Sequence, residues 1–133
     1  MFSKRLASSM AAFLLFAFVG SASLRAQIWD FLGDTRIDAT RDHDRIQVTR
    51  HGGSFRAIHL RVSDEAIFFD RLVVHFGDGT SAKFSVADRI SPEGRNYVIE
   101  LPGQRRELES VELWYFKGPW ERNPRVTLYG TGD

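Results

Sequence analysis

The densest group of polar side chains in the sequence extends from Asp34 to Arg45. Within it, Asp38, Asp42 and Asp44 could supply three oxygen ligands to Ca²⁺, with loop carbonyls and water completing the shell of six to eight ligands. The group lacks the Asp-x-Asp-x-Asp-Gly register of a calcium loop, and the interleaved arginines would compete for the same oxygens. We therefore favour an Asp-rich turn capped by its own backbone amides and paired with the arginines, and retain calcium as a possible cofactor.

Tryptophan side chains give a second candidate site. Trp120 lies in a loop with two prolines, Lys117–Pro124, where an exposed indole could stack on a sugar ring or a peptide. Trp114 and Phe116 alternate with three apolar residues and so make the other face of the same segment apolar as well. Those three residues are Val111, Leu113 and Tyr115. The alternative is that Trp120 folds back as a lid and that Trp114 and Phe116 pack beneath a crossing loop, because large aromatic side chains are usually core.

Two adjacent arginines form a third candidate site. Arg105 and Arg106 follow Pro102-Gly103 and make a concentrated positive patch that could receive a carboxylate or a sulfate by bidentate contact. The alternative is a solvated hairpin tip in which these arginines pair with a neighbouring glutamate, Glu107 or Glu109.

No arrangement typical of catalysis is found in the sequence. It contains no Gly-x-Ser-x-Gly elbow, no His-Glu-x-x-His and no glycine-rich phosphate loop, so we assign no catalytic residue. The histidines at positions 43, 51, 59 and 75 show no tight metal-ligand spacing, although a cross-strand pairing of His59 with His75 could bring two imidazoles together. Surface histidines are the simpler interpretation, and a hydrolase would need carboxylates that converge only in the fold.

The elements that must position these residues have a two-residue period, which is typical of half-buried strands. Ile58, Leu60 and Val62 share one face, and Leu72–Phe76 repeats the pattern with even-numbered residues inward. Gly77-Asp78-Gly79 predicts a hairpin between Leu72–Phe76 and Ala82–Val86, and His51-Gly52-Gly53 separates two further apolar segments in the same way. About eight short strands without a helical pattern predict one all-β domain, an antiparallel sandwich or a partly open barrel.

The first 26 residues have the three zones of a secretory signal peptide. Lys4 and Arg5 precede the apolar segment Met10–Val19, and small residues follow from Gly20 to Ala26. The apolar segment is far shorter than the roughly 20 residues of a spanning helix, so we expect a cleaved leader rather than an anchor. We expect cleavage after Ala26, a domain at residues 27–133 and a location in the periplasm or outside the cell.

Removal of the leader changes the charge of the chain. Lys4, Arg5 and Arg25 leave with it and no acid does, so the 18 basic residues become 15, against 17 acidic ones, and the net charge of +1 becomes −2. The mature domain therefore has no general attraction for polyanions, and we expect no nucleic-acid partner. The absence of cysteine excludes disulfides, a thiolate zinc site and a cysteine nucleophile.

A set of strand and turn signatures resembles the YaaI-like family of small exported bacterial proteins, a domain of unknown function. The signatures are Trp29 with Leu32-Gly33, Asp42-x-Asp44-Arg45-Ile46-x-Val48, Gly53-x-Phe55, Leu101-Pro102-Gly103-x-x-Arg106 and Leu128-Tyr129-Gly130. The resemblance implies a signal peptide followed by one β-rich domain, and it brings no established activity or ligand.

Together these features favour a non-enzymatic binding or accessory module of the cell envelope, with a glycan or a protein as ligand. The residues expected to contact the ligand are Trp114, Trp120, Arg105 and Arg106. Two alternatives remain open at this point: an envelope hydrolase, and a structural subunit that forms homo-oligomers through the face of Trp114 and Phe116.

Overall fold

A computed structural model describes residues 28–49, 53–94 and 97–132, so the predicted leader lies outside the described residues. These ranges contain nine strands. They are β1 (Asp30–Arg36), β2 (His43–Gln47), β3 (Ser54–Phe55), β4 (Ala57–Ser63), β5 (Ile67–Phe76), β6 (Ser81–Ile90), β7 (Tyr97–Glu100), β8 (Arg106–Phe116) and β9 (Arg125–Thr131). Among the described residues there is no helix with the length and apolar character needed to cross a membrane.

The strands form two antiparallel sheets. One has four strands in the order β1-β9-β4-β7, and the other has the order β2-β8-β5-β6 with the short β3 added beside β8. The all-β prediction is confirmed, and of its two alternatives the sandwich is the one observed. The chain on either side of His51-Gly52-Gly53 does not form a hairpin, because β2 pairs with β8 and β4 pairs with β7 and β9. The chain changes sheets at Arg56, between β3, which pairs with β8, and β4, which pairs with β9.

The core lies between the sheets and follows the predicted alternation. Ile58, Leu60 and Val62 of β4 are buried, as are Leu72 and Val74 of β5. Removing such side chains from water stabilises the fold by about 1.5–3 kcal/mol each, which is why a chain without cysteine can rely on packing alone. The outer faces of both sheets remain accessible to ligands.

The predicted hairpin between β5 and β6 is confirmed. Gly79 has φ +91°, a conformation that favours glycine, and the backbone N–H of Phe76 donates to the carbonyl of Thr80 at 2.9 Å. The carboxylate of Asp78 accepts hydrogen bonds from the Thr80 hydroxyl at 2.6 Å and its backbone N–H at 3.0 Å. These hydrogen bonds hold the pKa of Asp78 below its usual range.

Candidate functional site

Three neighbouring strands place one row of side chains on the outer face of the five-stranded sheet, and we call Arg89, Phe68 and Phe116 the aromatic row. Phe68 of β5 lies opposite Arg89 of β6 on one side and opposite Phe116 of β8 on the other. The two phenyl rings meet edge to face with their centroids 5.5 Å apart. Phe68 is 44% exposed and Phe116 58% exposed, so both retain surface for a ligand.

A β-bulge turns Phe68 outward. In the pairing with β8, Phe69 lies opposite Tyr115 and Arg71 opposite Trp114, so that Asp70 is an extra residue in β5. On its other side Asp70 faces two residues of β6, Val86 and Ala87. Because one residue is inserted, the inward positions of β5 change from even numbers at Leu72 and beyond to odd numbers before the bulge. Ala87 has φ +46°, which is strained for a residue with a Cβ. Bulges commonly aim a side chain at a site, and this one exposes Phe68.

A cavity of about 270 Å³ borders the aromatic row. Its wall is the loop that follows β8, from Lys117 to Trp120, together with Glu65 and Ala66. Trp120 is half-buried: its indole N–H donates to the carbonyl of Ala66 at 3.0 Å, and its ring packs 6.2 Å from that of Tyr115. Trp120 therefore forms one side of the cavity and does not project from the loop. This agrees with the alternative in which Trp120 folds back as a lid.

The charged groups of the cavity are unevenly paired. The Oε2 atom of Glu65 accepts the backbone N–H of Arg122 at 2.7 Å. Arg89 and Lys117 are exposed and, within the described ranges, make no ion pair with any carboxylate. The cavity thus offers aromatic surface, a carboxylate that can accept a hydrogen bond and two exposed cations.

Trp114 shares the outer face with Phe116, but neighbouring side chains cover its ring. His43 of β2 stacks on it at 4.3 Å between centroids with an interplanar angle of 13°, and the guanidinium of Arg71 lies 4.2 Å from the centroid. Arg71 also pairs with Asp70 at 2.5 Å. These stacking and cation–π contacts stabilise the sheet surface and leave Trp114 less able than Phe116 to receive a ligand.

Arg105 and Arg106 lie at the opposite end of β8 from Phe116, about 30 Å away at the rise of a strand. The guanidinium of Arg106 lies 3.6 Å from the ring centroid of Phe76 and donates to the hydroxyl of Thr80 at 2.6 Å. Arg105 is exposed beside a shallow depression of about 340 Å³. The structure does not bring these arginines together with the candidate tryptophans.

The three candidate calcium ligands have other contacts. Asp38 accepts hydrogen bonds from the backbone and hydroxyl of Thr40, which lower its pKa, and Asp42 lies 3.3 Å from a ring nitrogen of His43. Asp44 accepts the hydroxyl of Tyr115 at 3.4 Å, and burial raises the pKa of that tyrosine. No group of three metal-ligating side chains forms within the described part of the chain. Calcium binding by Asp38, Asp42 and Asp44 stays a prediction.

Two of the histidines are separated by the fold. His59 lies on β4 of the four-stranded sheet, between Tyr129 and Trp29, whose rings are each 5.4 Å from the imidazole. His75 lies on β5 of the other sheet, where its Nε2 is 2.7 Å from Oε1 of Glu112. The cross-strand pair of imidazoles therefore does not form, because the two strands belong to different sheets.

The contact between His75 and Glu112 predicts a dependence of stability on pH. The hydrogen bond from His75 holds the pKa of Glu112 below its ordinary value of 4.5. As pH falls below that value, the unfolded chain binds a proton that the folded chain does not, so the free energy of unfolding decreases. We expect the free energy of unfolding of Glu112→Gln to fall less between pH 6 and pH 3 than that of the unaltered chain, as measured by urea unfolding.

The matched control for this prediction is Glu100→Gln, at an exposed glutamate on β7. A fall that is lessened equally in both variants, or not lessened in Glu112→Gln, would contradict the assignment to the contact with His75.

Comparisons with known proteins agree with this fold and assign no activity. A family model described as a domain of unknown function, DUF2541, matches residues 9–130. No curated protein matches the chain. A chain from the "Structural and functional characterization of Pseudomonas aeruginosa AlgX" is similar in structure, with a TM-score of 0.51 and 11% identity. The match covers 82% of this chain and 27% of that one, so it shows a shared fold alone.

Proposed function

We propose that this chain, which belongs to the DUF2541 family of unknown function, is an exported, non-enzymatic module that binds a glycan of the cell envelope along the aromatic row. The YaaI-like name and the export implied by it are part of the same proposal. The observation that carries it is the pair of exposed rings, Phe68 and Phe116, beside a cavity with polar groups at its rim. We propose the periplasm or the exterior as its location.

Sugar chemistry suits this surface. A pyranose ring has an apolar face of C–H groups and hydroxyls around its rim. The weakly positive hydrogens of that face pack on the negative face of an aromatic ring. The aromatic row can receive the C–H face, while Glu65, Arg89 and Lys117 can reach the hydroxyls. Binding sites commonly combine such apolar lining with a few placed polar groups. Neither proton transfer nor a nucleophile is needed for this role.

We expect Phe116→Ala to weaken glycan binding about tenfold, or about 1.4 kcal/mol, because it removes an exposed stacking surface. The measurement is titration calorimetry of the full-length chain, expressed with its own leader, against peptidoglycan fragments and polygalacturonate. Phe68→Ala is expected to act in the same direction, and neither change should unfold the domain because both side chains are half exposed.

The matched control is Phe31→Ala. Phe31 is 51% exposed but lies on β1 of the other sheet, so its loss leaves the aromatic row intact. Glycan binding that is unchanged in the double variant of Phe68 and Phe116, or that falls equally in Phe31→Ala, would refute the proposed site.

A further inference from the structure

We propose that the ligand of the aromatic row is an acidic sugar chain, whose carboxylates or sulfates pair with Arg89 and Lys117. This inference rests on the proposed function and names the chemical class of its ligand. It follows from the position of two exposed cations at the ends of the aromatic row. In the part of the chain that the structure describes, neither cation forms an ion pair with a carboxylate.

The two cations flank the rings. Arg89 lies on β6, Phe68 on β5, and Phe116 with the following Lys117 at the end of β8, and these strands are neighbours in that order. Two interstrand spacings separate the backbones of the outer strands by about 10 Å. A ligand that covers both rings therefore meets a positive charge at each end, which suits a chain with repeated anionic groups better than a single anion.

Three carboxylates lie near the cations, and among the described residues none of them forms an ion pair with either cation. One is Asp38, whose pKa Lys117 helps to lower, after the larger effect of the hydrogen bonds from Thr40. Asp88 accepts the backbone N–H of Arg89 at 2.7 Å, and Glu65 accepts the backbone N–H of Arg122. Each of these carboxylates thus accepts a hydrogen bond from a backbone amide, while the side chains of Arg89 and Lys117 stay exposed to solvent. Glu65 keeps a second oxygen that can accept a sugar hydroxyl, so the cavity can distinguish an acidic sugar from an inorganic anion.

The attraction that we infer is local. The mature chain is expected to carry a net charge of −2, so its overall field does not draw polyanions to it. Exposed ion pairs contribute up to about 1 kcal/mol each and are screened by salt. Acidic glycan binding should therefore depend on each cation by a few fold and weaken as ionic strength rises.

The test compares polygalacturonate with its fully methyl-esterified form, which keeps the same backbone and removes the charge, and with poly-glutamate, which keeps the charge and removes the sugar. By titration calorimetry on the full-length chain we expect polygalacturonate to bind at least tenfold more tightly than either. R89Q and K117Q should each weaken binding about threefold and together about tenfold, in line with exposed ion pairs. Addition of salt should reduce the affinity for polygalacturonate and leave that for the ester unchanged.

Matched charge removals are available on both sheets. Lys83 is an exposed cation on β6, like Arg89, and Arg61 is an exposed cation on β4 of the other sheet. K83Q and R61Q should bind polygalacturonate as the unaltered chain does. A loss in either control equal to that in R89Q would show a nonspecific charge effect and overturn the inference.

The outcomes separate this inference from the proposed function. If the ester binds as tightly as the acid and R89Q and K117Q change nothing, the ligand is a neutral glycan, so the inference is wrong and the binding function stands. If poly-glutamate binds as tightly as polygalacturonate, charge alone is recognised and both proposals fail. Both also fail if none of the three polymers binds and peptidoglycan fragments do not bind either.

Discussion

Replacing Trp120 by alanine is expected to lower the free energy of unfolding by about 3 kcal/mol, the low end of the range for a buried tryptophan because this one is half exposed. The indole N–H donates to the carbonyl of Ala66, and the ring packs against Tyr115 at the edge of the core. The variant loses that apolar contact and leaves the Ala66 carbonyl without its donor. Urea unfolding followed by circular dichroism measures the change without depending on tryptophan fluorescence.

Trp120→Phe separates packing from hydrogen bonding. It keeps most of the aromatic contact and removes the N–H, so we expect a loss of about 1 kcal/mol. Both variants should also perturb glycan binding, because Trp120 forms one wall of the cavity. If Trp120→Ala unfolds at the same urea concentration as the unaltered chain, the indole does not hold the loop. That result would favour the exposed, ligand-stacking indole that the sequence also suggested.

Gly33→Ala is expected to destabilise the fold by about 2 kcal/mol through overpacking. A Cβ at this position would lie 2.6 Å from the backbone oxygen of Gln47 and 2.9 Å from a methyl of Ile46. Gly33 adjoins a register shift in β1, at the point where this strand of one sheet passes β2 of the other. The carbonyl of Leu32 accepts the backbone N–H of Thr49 there, at 2.9 Å. Because the blocking atom belongs to the backbone, relief of the clash requires separation of the sheets.

Gly77→Ala provides the comparison. Its Cβ would also meet an oxygen, but that atom ends the flexible side chain of Glu107 and can move away into solvent. The approach of 3.2 Å to the Cβ of Glu107 then requires a shift of only a few tenths of an ångström. We expect a change of less than about 1 kcal/mol, within the range of surface substitutions that break no buried contact. Equal urea midpoints for the two alanine variants would show that the close approach at Gly33 is not a constraint on the fold.

Contacts on the outer faces were the part that sequence patterns predicted least well. The sequence offered Glu107 or Glu109 as the partner of Arg106. The hydrogen-bond partners that the structure shows are Asp78 and Thr80, in the hairpin between β5 and β6. Similarly, no local signal places His43 and Arg71 beside Trp114. Each of these contacts joins residues on different strands, so it depends on strand order and register.

Local alternation was enough to predict an all-β domain, the hairpin at Gly77-Asp78-Gly79 and the outward direction of Trp114 and Phe116. These features follow from the two-residue period of an extended chain and from turn residues that tolerate positive φ, both of which are local properties. Only the tertiary structure decided that Phe68 faces outward beside Phe116. The even-numbered alternation of Leu72–Phe76 would bury Phe68. The bulge at Asp70 reverses it because the long-range pairing of β5 with β8 leaves Asp70 as an extra residue in β5.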